Sequence, residues 1–192
     1  DLKRNYYDFG FTKPISINFP SSAFGYMNIK EKVSDRELAS LGYGYGISIT
    51  PFQIASAYSV FANDGEFKDF KIFKNQEVTS RKIISSDSAA HILDALTKVV
   101  KDGTGKAAYI KGFSAGGKTG TAHRIGSSSG YAEDLYVASF AGIAPIGDES
   151  LTIFVSINNP GLNSYTGGAV AAPVFAKIAE SSLNHLGYFE DE

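Results

Sequence analysis

The chain has 192 residues, 18 Lys and Arg against 20 Asp and Glu, a net charge of −2 and 43% apolar residues. That balance offers no basic excess for nucleic acid or an anionic membrane surface, and the apolar share is ample for a packed core, which excludes a disordered chain. The absence of cysteine excludes disulfides, thiol catalysis and cysteine-held metal, and no apolar run approaches the length of a membrane span.

The chain opens on Asp-Leu-Lys-Arg-Asn, with neither Met nor a signal-peptide pattern, and reads as processed or as cut from a longer protein. Residues 1–34, with Pro14, Pro20 and a turn-rich Ser21–Tyr26 stretch, are expected to be extended and loop-rich. A short helix over 35–41 is stopped by the alternation Gly42-Tyr43-Gly44-Tyr45-Gly46. Thr50-Pro51 is a strong helix start, since Thr caps free N–H groups and Pro fits the first turn. Phe52, Ile54, Ala55, Tyr58 and Phe61 carry that helix to Asn63-Asp64-Gly65. Short strands are expected over 66–84 around a turn at Asn75-Gln76. Ser85 or Ser86 then caps a helix with Ala89, Ile92, Leu93, Leu96, Val99 and Val100 on one face, His91 off it and Asp102-Gly103 as its stop. Leu135–Ile146 and Ser150–Asn158 predict a β-hairpin, and Pro173–Leu186 a last helix with Val174, Ile178, Leu183 and Leu186 inward. The expected class is α+β, with helices covering an antiparallel sheet.

The segment Gly112-Phe113-Ser114-Ala115-Gly116-Gly117-Lys118-Thr119-Gly120-Thr121 matches several signatures by its letters. A phosphate loop at Gly112–Thr119 requires a buried strand before it and a helix after it, and neither is readable here. A hydrolase nucleophile elbow around Ser114 requires the same strand-to-helix turn. A plain surface turn with a solvated lysine is the bland alternative. The fourth reading is a strand of Lys118-Thr119-Gly120. Alternation along it turns Thr119 and Thr121 to one side, where two hydroxyls can hold one carboxylate. Lys118 adds positive charge, and Gly120 lets a ligand lie against the backbone.

With its surroundings, this strand resembles that of the class B penicillin-binding proteins, and among them the septal division class. The resemblance covers essentially the whole chain. It runs through Tyr43-Gly44-Tyr45-Gly46 and Thr50-Pro51-Phe52-Gln53-Ile54-Ala55, then Ala107-Ala108-Tyr109-Ile110-Lys111-Gly112 and Lys118-Thr119-Gly120-Thr121-Ala122. Ala141-Gly142-Ile143-Ala144-Pro145, Asn158-Asn159-Pro160 and Gly167-Gly168-Ala169-Val170-Ala171-Ala172-Pro173-Val174-Phe175 follow in order. The resemblance implies a serine D,D-transpeptidase, with the penicillin-binding, serine β-lactamase-like fold. An acyl-serine intermediate would cross-link peptidoglycan stem peptides ending in D-alanyl-D-alanine, with β-lactams acylating the same serine and no cofactor or metal required.

The family's Ser-x-x-Lys is absent from these residues. Ser16-Ile17-Asn18, Ser156-Ile157-Asn158 and Ser182-Leu183-Asn184 match the second motif, Ser-x-Asn, by letters but not by place. The chain is therefore expected to be the C-terminal portion, residues 1–192, of a transpeptidase domain. Its nucleophile, Ser-x-Asn pair and membrane anchor are expected upstream, so it should be inactive alone. By resemblance, Lys118 and Thr121 belong to the catalytic machinery, the Thr121 N–H forming half of an oxyanion hole. Lys118, Thr119, Gly120, Thr121 and Tyr165 would bind substrate. Tyr165 would form an aromatic wall, with Thr166 where many relatives carry a second aromatic. Tyr131 or Tyr136, flanking a stretch Gly126–Asp134 expected to be mobile, is a candidate for the cleft, with His123 and Arg124 near its rim. The implied location is the outer face of the cytoplasmic membrane at the division site, with divisome proteins as partners. A non-catalytic penicillin sensor, a divisome scaffold and a serine β-lactamase relative are the alternatives.

Overall fold

The computed structural model describes residues 2–11, 23, 25–27, 33–125, 131–147, 149–161 and 163–188, with 125 and 131–134 described as backbone only. Helix α1 (Leu2–Asp8) opens the chain, where an extended segment was expected. Its reasons are tertiary: the Tyr6 hydroxyl donates to the Leu41 carbonyl, and the Phe9 ring lies 5.9 Å from that of Phe61. The rest of the segment read as extended falls largely outside the described residues. Two short strands, β1 (Tyr26–Met27) and β2 (Ile47–Ser48), pair antiparallel around α2 (Asp35–Gly42). Ser34 and Glu37 form a reciprocal capping box that starts α2.

Helix α3 (Pro51–Ala62) begins as Thr50-Pro51 dictates, with a second capping box between Thr50 and Gln53. Its buried face is Gln53, Ser56, Ala57 and Val60, while Phe52 is 52% exposed. Gln53 is buried because its amide closes a network. Its Oε1 accepts from the N–H groups of Gly25 (3.0 Å) and Thr50 (2.9 Å), and its Nε2 donates to the carbonyls of Gly10 and Phe11. A buried amide so satisfied carries little desolvation cost and ties the N-terminal segment to α3. A hairpin of β3 (Glu66–Lys68) and β4 (Ser80–Lys82) follows, with Arg81 packed 4.1 Å over the Phe67 ring. Ser85 caps α4 (Ser86–Lys101), which buries Ala89, Leu96 and Val100 as its periodicity requires and leaves His91 exposed.

Among the described residues the main sheet has three antiparallel strands in the order β5 (Gly116–Ile125), β6 (Tyr131–Ala144), β7 (Leu151–Asn158). Helix α5 (Ala172–Leu186) covers one face and α3 and α4 the other, an α+β layered architecture. On the α5 face Phe140, Ala144 and Val155 meet Ala172, Phe175, Ala179 and Leu183. The Phe140 and Phe175 rings, both fully buried, lie 4.8 Å apart. Each such side chain contributes roughly 1.5–3 kcal/mol by burial. The inward stripe expected for α5 is corrected in three of its four members: Val174, Ile178 and Leu186 are 37%, 43% and 57% exposed, and only Leu183 is buried. The helix carries two apolar stripes four residues apart in repeat. The stripe with Ala172 and Ala179 wins because small residues let the helix approach closely enough for Phe175 to enter the core.

Candidate active site

Strand β5 runs through Lys118-Thr119-Gly120-Thr121 without a break, and among the described residues it pairs only with β6. Lys118 therefore sits mid-strand, not at a helix N-terminus, which removes the phosphate-loop reading. Ser114 leads into a strand and is locked to the end of the hairpin. Its hydroxyl donates to the Ile146 carbonyl at 3.2 Å and accepts from the Ile146 N–H at 3.0 Å. That removes the nucleophile elbow. Of the three Ser-x-Asn matches, one lies in β7, one in α5, and Ser16–Asn18 outside the described residues.

Cross-strand pairing decides which way the side chains point. Thr119 is opposite Phe140 and Thr121 opposite Ala138, so both threonines lie on the α5 side, while Lys118 and Gly120 lie on the other. Among the described residues β5 is an edge strand, and the Lys118 ammonium reaches over it. It donates to the Thr119 carbonyl at 2.9 Å and lies 3.4 Å from Thr119 Oγ1. Thr119 Oγ1 is also 2.9 Å from Thr104 Oγ1, in the turn that follows α4. The Gly167 N–H donates to Thr121 Oγ1 at 3.1 Å, leaving that hydroxyl proton available to an acceptor in front of the strand.

Gly167 opens a π-helical turn, Gly167–Ala171, that leads into α5. A side chain is excluded there: a Cβ on Gly167 would lie 2.3 Å from the Ser139 carbonyl oxygen and 2.5 Å from that of Gly120. On Gly168 a Cβ would lie 2.4 Å from the Thr104 carbonyl oxygen. Glycine at both positions lets this turn close directly on the Lys-Thr-Gly strand. Thr166 caps the turn, its hydroxyl accepting from the Ala169 N–H at 3.3 Å. Thr166, read from the sequence as standing where a second aromatic is common in the resembled family, thus serves as a polar cap.

Beyond Thr121 the same face of β5 becomes aromatic. His123 packs 4.5 Å from Tyr136, its cross-strand partner, and Tyr136 stacks on Tyr165 at 4.2 Å and 23°. Tyr165, 37% exposed, thus closes a three-ring row beside the threonines. Tyr136 belongs to this row; the side chain of Tyr131 lies outside the described residues. Within the stretch expected to be mobile, residues 131–134 are part of β6, and 126–130 lie outside the described residues. Arg124 extends towards β7, donating to Asn159 Oδ1 at 3.3 Å. A groove of about 460 Å³ lined by Ser40, Tyr43, Tyr45 and His123 continues the aromatic row. Tyr43 and Tyr45 entered the sequence reading only as part of a glycine-tyrosine pattern. Thr104 had no signal at all, since Asp102-Gly103-Thr104-Gly105 reads as a helix stop.

This mixed sheet-and-helix arrangement, with Lys-Thr-Gly-Thr on a strand closed by a Gly-Gly turn, has the fold of the penicillin-binding transpeptidases. The chain belongs to the family described as "Penicillin binding protein transpeptidase domain", whose family model matches residues 1–180. It is 37% identical to a Pseudomonas aeruginosa protein named probable peptidoglycan D,D-transpeptidase PbpC, over 92% of this chain and 32% of that protein. It is 34% identical to stage V sporulation protein D of Bacillus subtilis, over 94% of this chain and 30% of that protein. Among solved structures, the apo transpeptidase domain of Burkholderia pseudomallei penicillin-binding protein 3 superposes with a TM-score of 0.89 at 32% identity, over 99% of this chain and 58% of that one. The chain spans about a third of the length of the curated relatives it matches.

Proposed function

We propose that this chain supplies the substrate-binding strand of a serine D,D-transpeptidase that cross-links peptidoglycan stem peptides during septal wall synthesis. Residues 1–192 are the C-terminal portion of the transpeptidase domain, and the nucleophilic serine, its lysine and the Ser-x-Asn pair come from outside this sequence. The serine attacks the penultimate D-alanine carbonyl, D-alanine leaves, and an amine from a neighbouring strand takes the acyl group. Lys118, Thr119 and Thr121 hold the terminal carboxylate, Gly120 admits the peptide against the strand, and the Thr121 N–H polarises the reacting carbonyl. Tyr165, stacked on Tyr136, walls the site. β-Lactams acylate the same serine, and the enzyme works at the outer face of the cytoplasmic membrane among divisome proteins.

One observation carries this reading: Lys118, Thr119 and Thr121 converge on the open edge of β5, beside the Gly167-Gly168 turn. The name of the Pseudomonas aeruginosa relative supports the reaction type. The test uses the full-length protein and mass spectrometry after incubation with penicillin. We expect one covalent adduct on a serine outside residues 1–192. Acylation should be slowed at least tenfold in Thr121→Val, which removes a charge-assisted hydrogen bond of roughly 1.5–3 kcal/mol. Thr152→Val in β7 is the control. Release of D-alanine from a stem-peptide donor separates a transpeptidase from a sensor or scaffold. An adduct that forms at the wild-type rate in Thr121→Val removes this strand from the site.

A further inference from the structure

The Thr119 hydroxyl has two lone pairs and one proton. The Lys118 ammonium can only donate, and it faces Thr119 Oγ1 from 3.4 Å. Thr104 Oγ1 faces the same oxygen from 2.9 Å, the shorter contact, and either hydroxyl can be the donor in that pair. If Thr119 donates to Thr104, its proton is consumed within the protein, and an anion in front of the strand meets only a lone pair. If Thr104 donates, both lone pairs of Thr119 are occupied and its proton is free to turn outward. A carboxylate accepts and cannot donate, so an anionic ligand selects the second arrangement.

We propose that Thr104 is a positioning residue for Thr119: its hydroxyl donates to Thr119 Oγ1 and commits the Thr119 proton to the carboxylate of the bound ligand. The proposal rests on the reading of β5 as the substrate strand. Its physical support is the way the Thr104 turn is held. The Gly103 N–H reaches the carbonyls of Lys98 and Val99, both at 3.1 Å, and the Gly105 N–H reaches the Val99 carbonyl at 3.0 Å, folding the turn back onto α4. A Cβ on Gly105 would lie 3.2 Å from the buried Phe140 ring, and the Thr104 carbonyl itself lies against Gly168. The turn is therefore wedged between α4, the core and the Gly-Gly turn. Backbone packing sets where the Thr104 Cβ sits, and its exposed hydroxyl meets Thr119 Oγ1 at 2.9 Å.

A merely structural Thr104 and a proton-directing one differ in a measurable way, because only the second cares whether the ligand bears a carboxylate. The full-length protein is assayed with a β-lactam carrying its free carboxylate and with the methyl ester of the same compound. The readout is the acid-over-ester ratio of second-order acylation constants. In Thr119→Val this ratio falls on the order of tenfold or more, the direct hydrogen bond being lost. We expect Thr104→Val to lower the same ratio roughly three- to tenfold, and Thr104→Ser, which keeps the hydroxyl, to restore it within about twofold. The double variant Thr104→Val with Thr119→Val should be no worse than Thr119→Val alone. A Thr104→Val protein whose ratio stays at the wild-type value while that of Thr119→Val falls overturns the proposal and leaves the strand assignment standing. So does equal slowing of acid and ester that Thr104→Ser fails to reverse. If Thr119→Val leaves the ratio unchanged, the strand assignment fails and the proposal fails with it.

Discussion

Replacing Gly167 with Ala probes how the Lys-Thr-Gly strand is held. The added Cβ would sit 2.3 Å from the Ser139 carbonyl oxygen, 2.5 Å from that of Gly120 and 3.0 Å from the Gly120 nitrogen. An ordinary carbon–oxygen contact is about 3.2 Å or longer, so turn and strand must separate by nearly 1 Å. All the close atoms are backbone, which no rotamer change can move aside. Overpacking of this kind costs roughly 1–3 kcal/mol, and the Gly167 N–H bond to Thr121 is stretched or lost at a further cost of about 0.5–1.5 kcal/mol. At no more than about 2–4 °C per kcal/mol, the figure for roughly 150–250 residues, Tm of the larger full-length protein should fall by several degrees. A misplacement near 1 Å also slows positioned chemistry by about a hundredfold, so acylation of the surviving folded protein should drop by that order. Melting followed by circular dichroism, and stopped-flow acylation of the full-length protein below its Tm, give the two numbers. Gly161→Ala, where an added Cβ meets nothing within 4 Å, is the control. Wild-type acylation and Tm in Gly167→Ala would refute the claim that this turn sets the strand.

Phe175→Ala should destabilise by roughly 3–5 kcal/mol in denaturant melts while Ile178→Ala costs under about 1 kcal/mol, and the reverse ranking would put the other α5 stripe in the core. Tyr165→Ala removes a ring stacked at 4.2 Å on Tyr136. It should slow acylation by β-lactams bearing aromatic side chains about two- to tenfold relative to compact ones, with little change in Tm. Burial pushes the Tyr58 phenol up to about 12 from 10.0, so the unfolded chain loses this proton first as pH rises. The resulting contribution is complete below pH 10.0 and is lost as pH climbs through about 12, by up to about 1.4 kcal/mol per pH unit. Thermal melts at pH 9, 10 and 11 should show wild-type Tm falling more steeply than that of Tyr58→Phe. Parallel curves would contradict the buried phenol.

Features encoded over short stretches were legible. Thr50-Pro51 and Ser85 start α3 and α4 where side-chain capping requires, since a cap joins groups three residues apart. Strand alternation put Thr119 and Thr121 on one face without knowledge of any partner. The α5 stripe was not legible: Val174, Ile178 and Leu186 are spaced as well for burial as Phe175, Ala179 and Leu183. Sequence likewise gave Gln53 no reason to be buried, because three of its partners, Gly10, Phe11 and Gly25, lie between 28 and 43 residues away.

The sequence alone therefore determined helices α2 to α5, their order and the β6–β7 hairpin, because these follow from capping and apolar periodicity, whereas the strand that carries Lys118 to Thr121 was read through the family resemblance and α1 was missed. Tertiary structure decided what faces that strand. The approach of Thr104 to Thr119, the donation from Gly167 to Thr121 and the row of His123, Tyr136 and Tyr165 each join segments that only packing brings together. Hydrogen bonds and ring contacts act over a few ångströms. Whether distant residues come that close depends on how the Phe140 and Phe175 core closes between sheet and helix.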